Sequence, residues 1–243
     1  PRRPMAQFAE DEIVLPRGPF RGQRFRVDRF PASRLWFDEL DARRWQYHVA
    51  TGPTQSGKTL CCFFTPILYC LFELEEDVIV GLPHLNMANA KWLKDIRPAL
   101  EKTRYAKWLP TVGEGSKGGR VKESVQFTNG VSLTFMLFGG GDKSRAGEPS
   151  RNLIITETDG GQVAQTTSDE DNPIQQLIAR TGAFDLDAFI VMECTVTHTK
   201  GETWTRYESG TASRIARPCP KCHAYVTPER KHFVGWTGHE NVI

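Results

Sequence analysis

Nothing in this sequence stays apolar for long enough to cross a bilayer. The longest apolar stretch, Leu60 to Phe72, is broken by Thr65 and Pro66, and a spanning helix needs about 20 such residues. Pro1-Arg2-Arg3-Pro4 likewise lacks the apolar core of a signal peptide. Cysteine is sparse, six in 243 residues, which argues against a disulfide scaffold. Cys61, Cys62 and Cys70 fall within the apolar stretch and read as small core residues. An excess of one charge is missing too: 31 Lys and Arg stand against 29 Asp and Glu, a net charge of +2. Bulk electrostatics therefore gives no case for nucleic acid, and any DNA contact must come from local patches. The cytosol is the default compartment.

What is present is a globular mixture, 39% hydrophobic and 25% charged, too apolar to remain disordered. The length suits one large domain with a small appendage. Residues 1–29 are rich in Pro, Gly and Arg, including Arg17, Arg21, Arg24, Arg26 and Arg29, with little periodicity. They read as an extended arm, either a solvated tail or a basic arm touching a partner or DNA. Residues 30–217 form the main domain, and 218–243 a cysteine-containing C-terminal segment. Within the main domain, helical spacing covers 34–44, 58–74, 85–100 and 173–180. Short apolar runs at 45–50, 77–80, 153–155 and 188–193 read as strands. Asn129-Gly130, between apolar runs at 121–127 and 131–138, signals a β-hairpin. Strands alternating with helices imply a layered, mostly parallel sheet with crossovers.

Gly52-Pro53-Thr54-Gln55-Ser56-Gly57-Lys58-Thr59 fits G-x-x-x-x-G-K-[ST] at every fixed position. The glycines let the backbone curl so that its N–H groups face phosphate oxygens. Lys58 would neutralise the β and γ phosphates of ATP, and the Thr59 hydroxyl would hold magnesium. A strand precedes the loop and a helix follows, whose N-terminus adds partial positive charge. Four fixed positions would match by chance in such a chain on the order of one time in a hundred. The fold class is therefore α/β: a P-loop NTPase domain of the ASCE type, with helices flanking the sheet and a β-hairpin insertion.

A P-loop enzyme needs a carboxylate at the end of a neighbouring strand to orient magnesium, and often a glutamate beside it to activate water. Asn152-Leu153-Ile154-Ile155-Thr156-Glu157-Thr158-Asp159-Gly160 is the segment with that shape. Glu157 follows the apolar run and is placed to act as general base. Thr156 stands where aspartate is usual. It can reach magnesium through water but brings no charge. Either Glu157 or Asp159 takes part of the metal role, or hydrolysis is weak.

These segments together resemble the ATPase domain of the large terminase subunit of tailed bacteriophages, in its lambda-like branch, over about residues 30–236. Ser144-Arg145-Ala146-Gly147 resembles the family's Arg-Gly segment. The resemblance implies that Arg145 reaches the γ-phosphate of a neighbouring subunit, with Arg151 the second choice. Asp171-Asn172-Pro173 and Ala179-Arg180-Thr181 resemble a stretch following the acidic strand. Glu193-Cys194-Thr195-Val196-Thr197 sits where the family has a Ser-Thr-Pro coupling segment, which makes Thr195 and Thr197 coupling residues; Val196 replaces the proline. Pro218-Cys219-Pro220-Lys221-Cys222 resembles half of a cysteine-pair motif. Cys219 and Cys222 are thus candidate zinc ligands, although zinc takes four and the spacing to His223, His232 and His239 matches no common finger.

The resemblance implies a magnesium-dependent ATPase that powers DNA translocation into the prohead. Its partners would be double-stranded DNA, the portal protein and the small terminase subunit. It would act as a homo-oligomeric ring, monomeric in isolation, in the host cytoplasm at the portal vertex. The family's nuclease domain has no counterpart here, so nuclease activity is not expected. Two alternatives remain: a helicase-type translocase, and a nucleotide-binding module with little hydrolysis, suggested by Thr156. Phe30, Arg34 and Trp36 are candidates for the adenine side, with core packing the plainer role for Trp36.

Overall fold

In a computed structural model the described residues are 2–117, 119–138, 149–161, 172–196, 201–227 and 229. They fall into two units, Pro1–Tyr207 and Glu208–Ile243. The first is built on a six-stranded sheet; the second carries a two-stranded ribbon.

The chain does not open as an extended arm. Met5–Glu12 is a helix, α1, with Met5, Phe8, Ala9 and Glu12 buried at helical spacing. Burying an apolar side chain of this size contributes about 1.5–3 kcal/mol, enough to hold the segment in the core. Glu12 is matched by Arg3 at 2.8 Å and Arg104 at 2.9 Å, and Arg3 also pairs with Glu73 at 2.7 Å. Of the arginines in this segment, Arg17 pairs with Asp95 at 2.8 Å and Arg29 lies over the Phe20 ring.

The order of elements then follows the expected alternation. Helix α2 spans Pro31–Ala42 and strand β1 spans Tyr47–Thr51. After the phosphate loop a wide π-helical segment, Thr59–Phe64, runs into α3, Thr65–Phe72. Pro66, near the start of α3, has no N–H to give the preceding turn, and the widened turn accommodates it. Next come β2 (Val78–Leu82), α4 (Leu85–Lys91), a second π-helical stretch (Trp92–Ile96) and α5 (Arg97–Leu100), again around a proline near the start of the α segment. Strands β3 (Ser124–Gln126) and β4 (Ser132–Leu137) form the expected hairpin. Gly130 takes φ +96° in its turn, a conformation that glycine adopts without steric cost. Strand β5 (Asn152–Thr156), helix α6 (Pro173–Ile178), strand β6 (Phe189–Cys194) and helix α7 (Glu202–Ser209) complete the first unit's main elements.

The sheet order is β1-β6-β5-β2-β4-β3, parallel except for the β3–β4 pair. Strands β2, β5 and β6 are buried throughout, as parallel strands covered on both faces must be. Val78, Val80, Ile154, Phe189 and Val191 join one apolar cluster; Ile79, Leu153, Ile155, Ile190 and Met192 join the other. Gly81 lets α6 close on the second face, since a Cβ there would lie 2.8 Å from Leu177 Cδ1. Because β1, β5 and β6 run parallel and are neighbours, their carboxyl ends share one edge. Ligands bind at that edge in open α/β sheets.

Candidate nucleotide site

The phosphate loop leaves β1 at Thr51 and enters the helix at Lys58. Its backbone is left-handed at Gln55 (φ 58°) and Gly57 (φ 84°). Such alternation turns successive N–H groups to one side and makes an anion-binding nest. A Cβ on Gly57 would lie 3.0 Å from Phe30 Cδ1, so Phe30 braces the loop from behind. Its ring stacks on Phe25 at 5.5 Å. Trp36 is partly buried against the core, edge-on to His48 at 6.2 Å, the plainer of its two expected roles.

Pro53, Thr54, Gln55 and Ser56 are exposed, whereas Gly52, Gly57, Lys58 and Thr59 are half-buried. Lys58 Nζ donates to Pro53 O at 2.7 Å and to Thr195 Oγ1 at 3.0 Å. Both acceptors are neutral; the anionic group its charge acts on is the neighbouring Glu193 carboxyl. Thr195, the expected coupling residue, thereby touches the phosphate-loop lysine from the end of β6.

Thr156 is fully buried at the end of β5, and its hydroxyl donates to Glu193 Oε1. The same oxygen accepts from Thr59 Oγ1 at 3.4 Å. Glu193 is a carboxylate at the site beyond those expected from the sequence. Cross-strand register puts it beside both walls: it pairs with Thr156 of β5 and Ala50 of β1. Only 2% of Glu193 is exposed. Burial pushes its carboxyl above the usual range, opposed by the Thr156 hydrogen bond and by the charge of Lys91 and Lys58. The sequence signal was a lone acid ending an otherwise apolar strand.

Glu157 is half-buried just past Thr156 and takes φ 56°. That left-handed conformation is uncommon for a residue with a Cβ and clusters at functional sites. Its N–H donates to Glu193 O at 3.0 Å, which fixes the turn against β6. Asp159 lies elsewhere: it is 3% exposed, and its Oδ1 accepts Thr203 N–H at 3.4 Å at the start of α7. A Cβ on Gly201 would come within 2.6 Å of that oxygen, so Asp159 is wedged against the entry to α7. Arg151 sits at the opposite end of β5, bonded to Glu76 at 3.0 Å and to Asp187 O at 2.8 Å. Arg145 and Thr197 lie outside the described residues.

The structure therefore gathers Lys58, Thr59, Thr156, Glu157, Glu193 and Thr195 at one edge of the sheet. Cys219 and Cys222 belong to the second unit, in the turn between β7 (Arg217–Pro218) and β8 (Tyr225–Val226). Among the described residues no three His, Cys, Asp or Glu side chains gather into a metal site. No helix among them is long and apolar enough to cross a membrane.

A search of curated protein sequences returns no match. Among solved structures, the large terminase of bacteriophage HK97 is similar, with a TM-score of 0.58 at 15% identity. The likeness covers 80% of this chain and 38% of that one, and so speaks for the fold alone. The family described as phage terminase large subunit gpA, ATPase domain, matches residues 21–241. With nine-tenths of its length matched, from ahead of the phosphate loop to beyond the cysteine pair, the chain belongs to the family of phage terminase large subunit ATPase domains.

Proposed function

We propose that the chain binds Mg-ATP at residues 52–59, hydrolyses its γ-phosphate, and serves as the motor domain that drives DNA into a prohead. The observation that carries this is the complete phosphate loop at the carboxyl edge of a parallel sheet, with Glu157 and Glu193 ending the two neighbouring strands. The residues present fit the nucleotide and its metal. Gln55 and Gly57 shape the nest, Lys58 offers an ammonium hydrogen-bonded to neutral acceptors, and Thr59 stands beside a carboxylate. Magnesium at a nucleotide uses one or two protein groups and the phosphates rather than an all-protein cage, which suits this donor set.

When bound, magnesium would offset the charge on the phosphates. Lys58 would draw the β and γ oxygens into the loop and exchange its present neutral partners for them. Glu157 would take a proton from the attacking water, held in place by its N–H bond to β6. Thr195, bonded to Lys58 in this structure, would register any movement of that lysine and pass it to the chain beyond β6. Arg145 remains the proposed cation for a neighbouring subunit's site. The partners would be double-stranded DNA, the portal protein and the small terminase subunit, met at the portal vertex in the host cytoplasm. Zinc at Cys219 and Cys222 would need two further ligands from elsewhere.

Family membership answers the helicase alternative. The non-hydrolysing alternative is separated by steady-state phosphate release. The wild type should release phosphate above background, and Lys58→Ala should abolish it. Equal release from the two proteins would remove the loop from the chemistry.

A further inference from the structure

Thr156 leaves the acidic strand without the carboxylate that magnesium expects there, and the geometry points to where the charge went. We propose that Glu193, one strand over on β6, is the metal-anchoring carboxylate of this site. The inference rests on the Mg-ATP reading above and adds the residue that holds the metal side of it.

Four observations carry the assignment. Glu193 is directly paired with Thr156 in the β5–β6 register and with Ala50 in the β1–β6 register. In parallel strands paired residues point to one face, so the long acidic side chain of Glu193 lies between two short ones, Thr156 and Ala50. A single oxygen of Glu193 accepts from the hydroxyl of Thr59 and from that of Thr156. Thr59 is the residue whose hydroxyl faces the metal in a phosphate loop, so the carboxylate already sits on the metal's side of the helix start. Of the two carboxylates expected to share the metal role, Asp159 is engaged at the start of α7, and Glu157 is the proposed general base. Finally, Glu193 is 98% buried by its 2% exposure. A carboxylate so far from water needs a cation or a full set of donors.

Thr156 then has a positive role. An aspartate at that position would face Glu193 across the strand pair, and two buried carboxylates that close cannot both ionise. Threonine supplies a donor instead, orienting Glu193 towards Thr59. The acid has moved across one strand boundary, and the hydroxyl has taken its former place.

The test compares ATP affinity by calorimetry in excess magnesium and in EDTA, so that it reads the metal without relying on turnover. In the wild type magnesium should tighten ATP. Glu193→Gln, of the same shape, should lose about 10–100-fold of that tightening, the range found when groups holding a metal's ligands are removed. Its affinity in EDTA should stay within about threefold of the wild type. The exchange Thr156→Asp with Glu193→Thr should recover most of the magnesium effect, because a carboxylate on either strand serves. The proposal is overturned if Glu193→Gln keeps the full magnesium effect, if it loses affinity equally in EDTA, or if the exchange stays as poor as Glu193→Gln. A wild type that binds no ATP under either condition would instead contradict the nucleotide reading itself.

Discussion

Glu157→Gln should hydrolyse ATP about 10²–10⁴-fold more slowly than the wild type, the usual contribution of a positioned general base, while ATP affinity changes by less than about threefold. The two effects separate because different elements supply them. In the proposed reading the phosphates would be held by the loop after β1, through Lys58 and backbone N–H groups. The water would be activated from the end of β5, where Glu157 takes φ 56° and its N–H donates to Glu193 O. Glutamine preserves that turn and the side chain's length but cannot accept the proton. Single-turnover hydrolysis measured beside equilibrium binding distinguishes the cases. Unchanged turnover would transfer the role to another group, and a matching fall in affinity would make Glu157 a binding residue.

The second large effect concerns assembly. On a scaffold that forces subunits into a ring, Arg145→Ala should turn over about 10³–10⁵-fold more slowly, the typical cost of a missing arginine finger. Negative charge grows on the γ-phosphate as it transfers, and needs a cation beyond the loop lysine. The cations facing the buried carboxylate of the site are Lys58 and Lys91, both lysines of the subunit itself. We propose that Arg145, in the segment Ser144–Gly147 that resembles the family's Arg-Gly segment, supplies the remaining cation to a neighbour. Mixing Arg145→Ala with Glu157→Gln subunits should then restore part of the rate, since each defect leaves the other's half of a shared site intact. Failure to complement, where each variant binds ATP and the wild type turns over on the same scaffold, would refute a role in trans.

The parts of this molecule that could be read from its sequence are those whose signal is local. Gly52 to Thr59 announces itself within eight residues, and Asn129-Gly130 marks its hairpin within two. Helix α1 is hard to see in the sequence because residues 1–29 are rich in Pro, Gly and Arg, and its buried apolar face is only Met5, Ala6, Phe8 and Ala9. Its stability comes from the core it enters and from Arg3, whose partner Glu73 lies 70 residues away. Glu193 escaped for a related reason. Along the chain it is the last charged residue before Thr195, and its neighbours resemble a coupling segment. Only the β5–β6 register, formed between segments 37 residues apart, sets it against Thr156. The π-helical stretches ahead of Pro66 and Pro98 kept the expected helices at their expected places while changing their winding.

The central claim, that residues 52–59 hold ATP, is tested most directly by titrating Mg-ATP into the wild type and into a Lys58→Ala, Thr59→Ala double variant in a calorimeter. Losing the ammonium and the hydroxyl removes two interactions with charged groups, at roughly 1.5–3 kcal/mol each, so the variant should bind at least about 100-fold more weakly. Equal affinity for the two proteins would contradict the account.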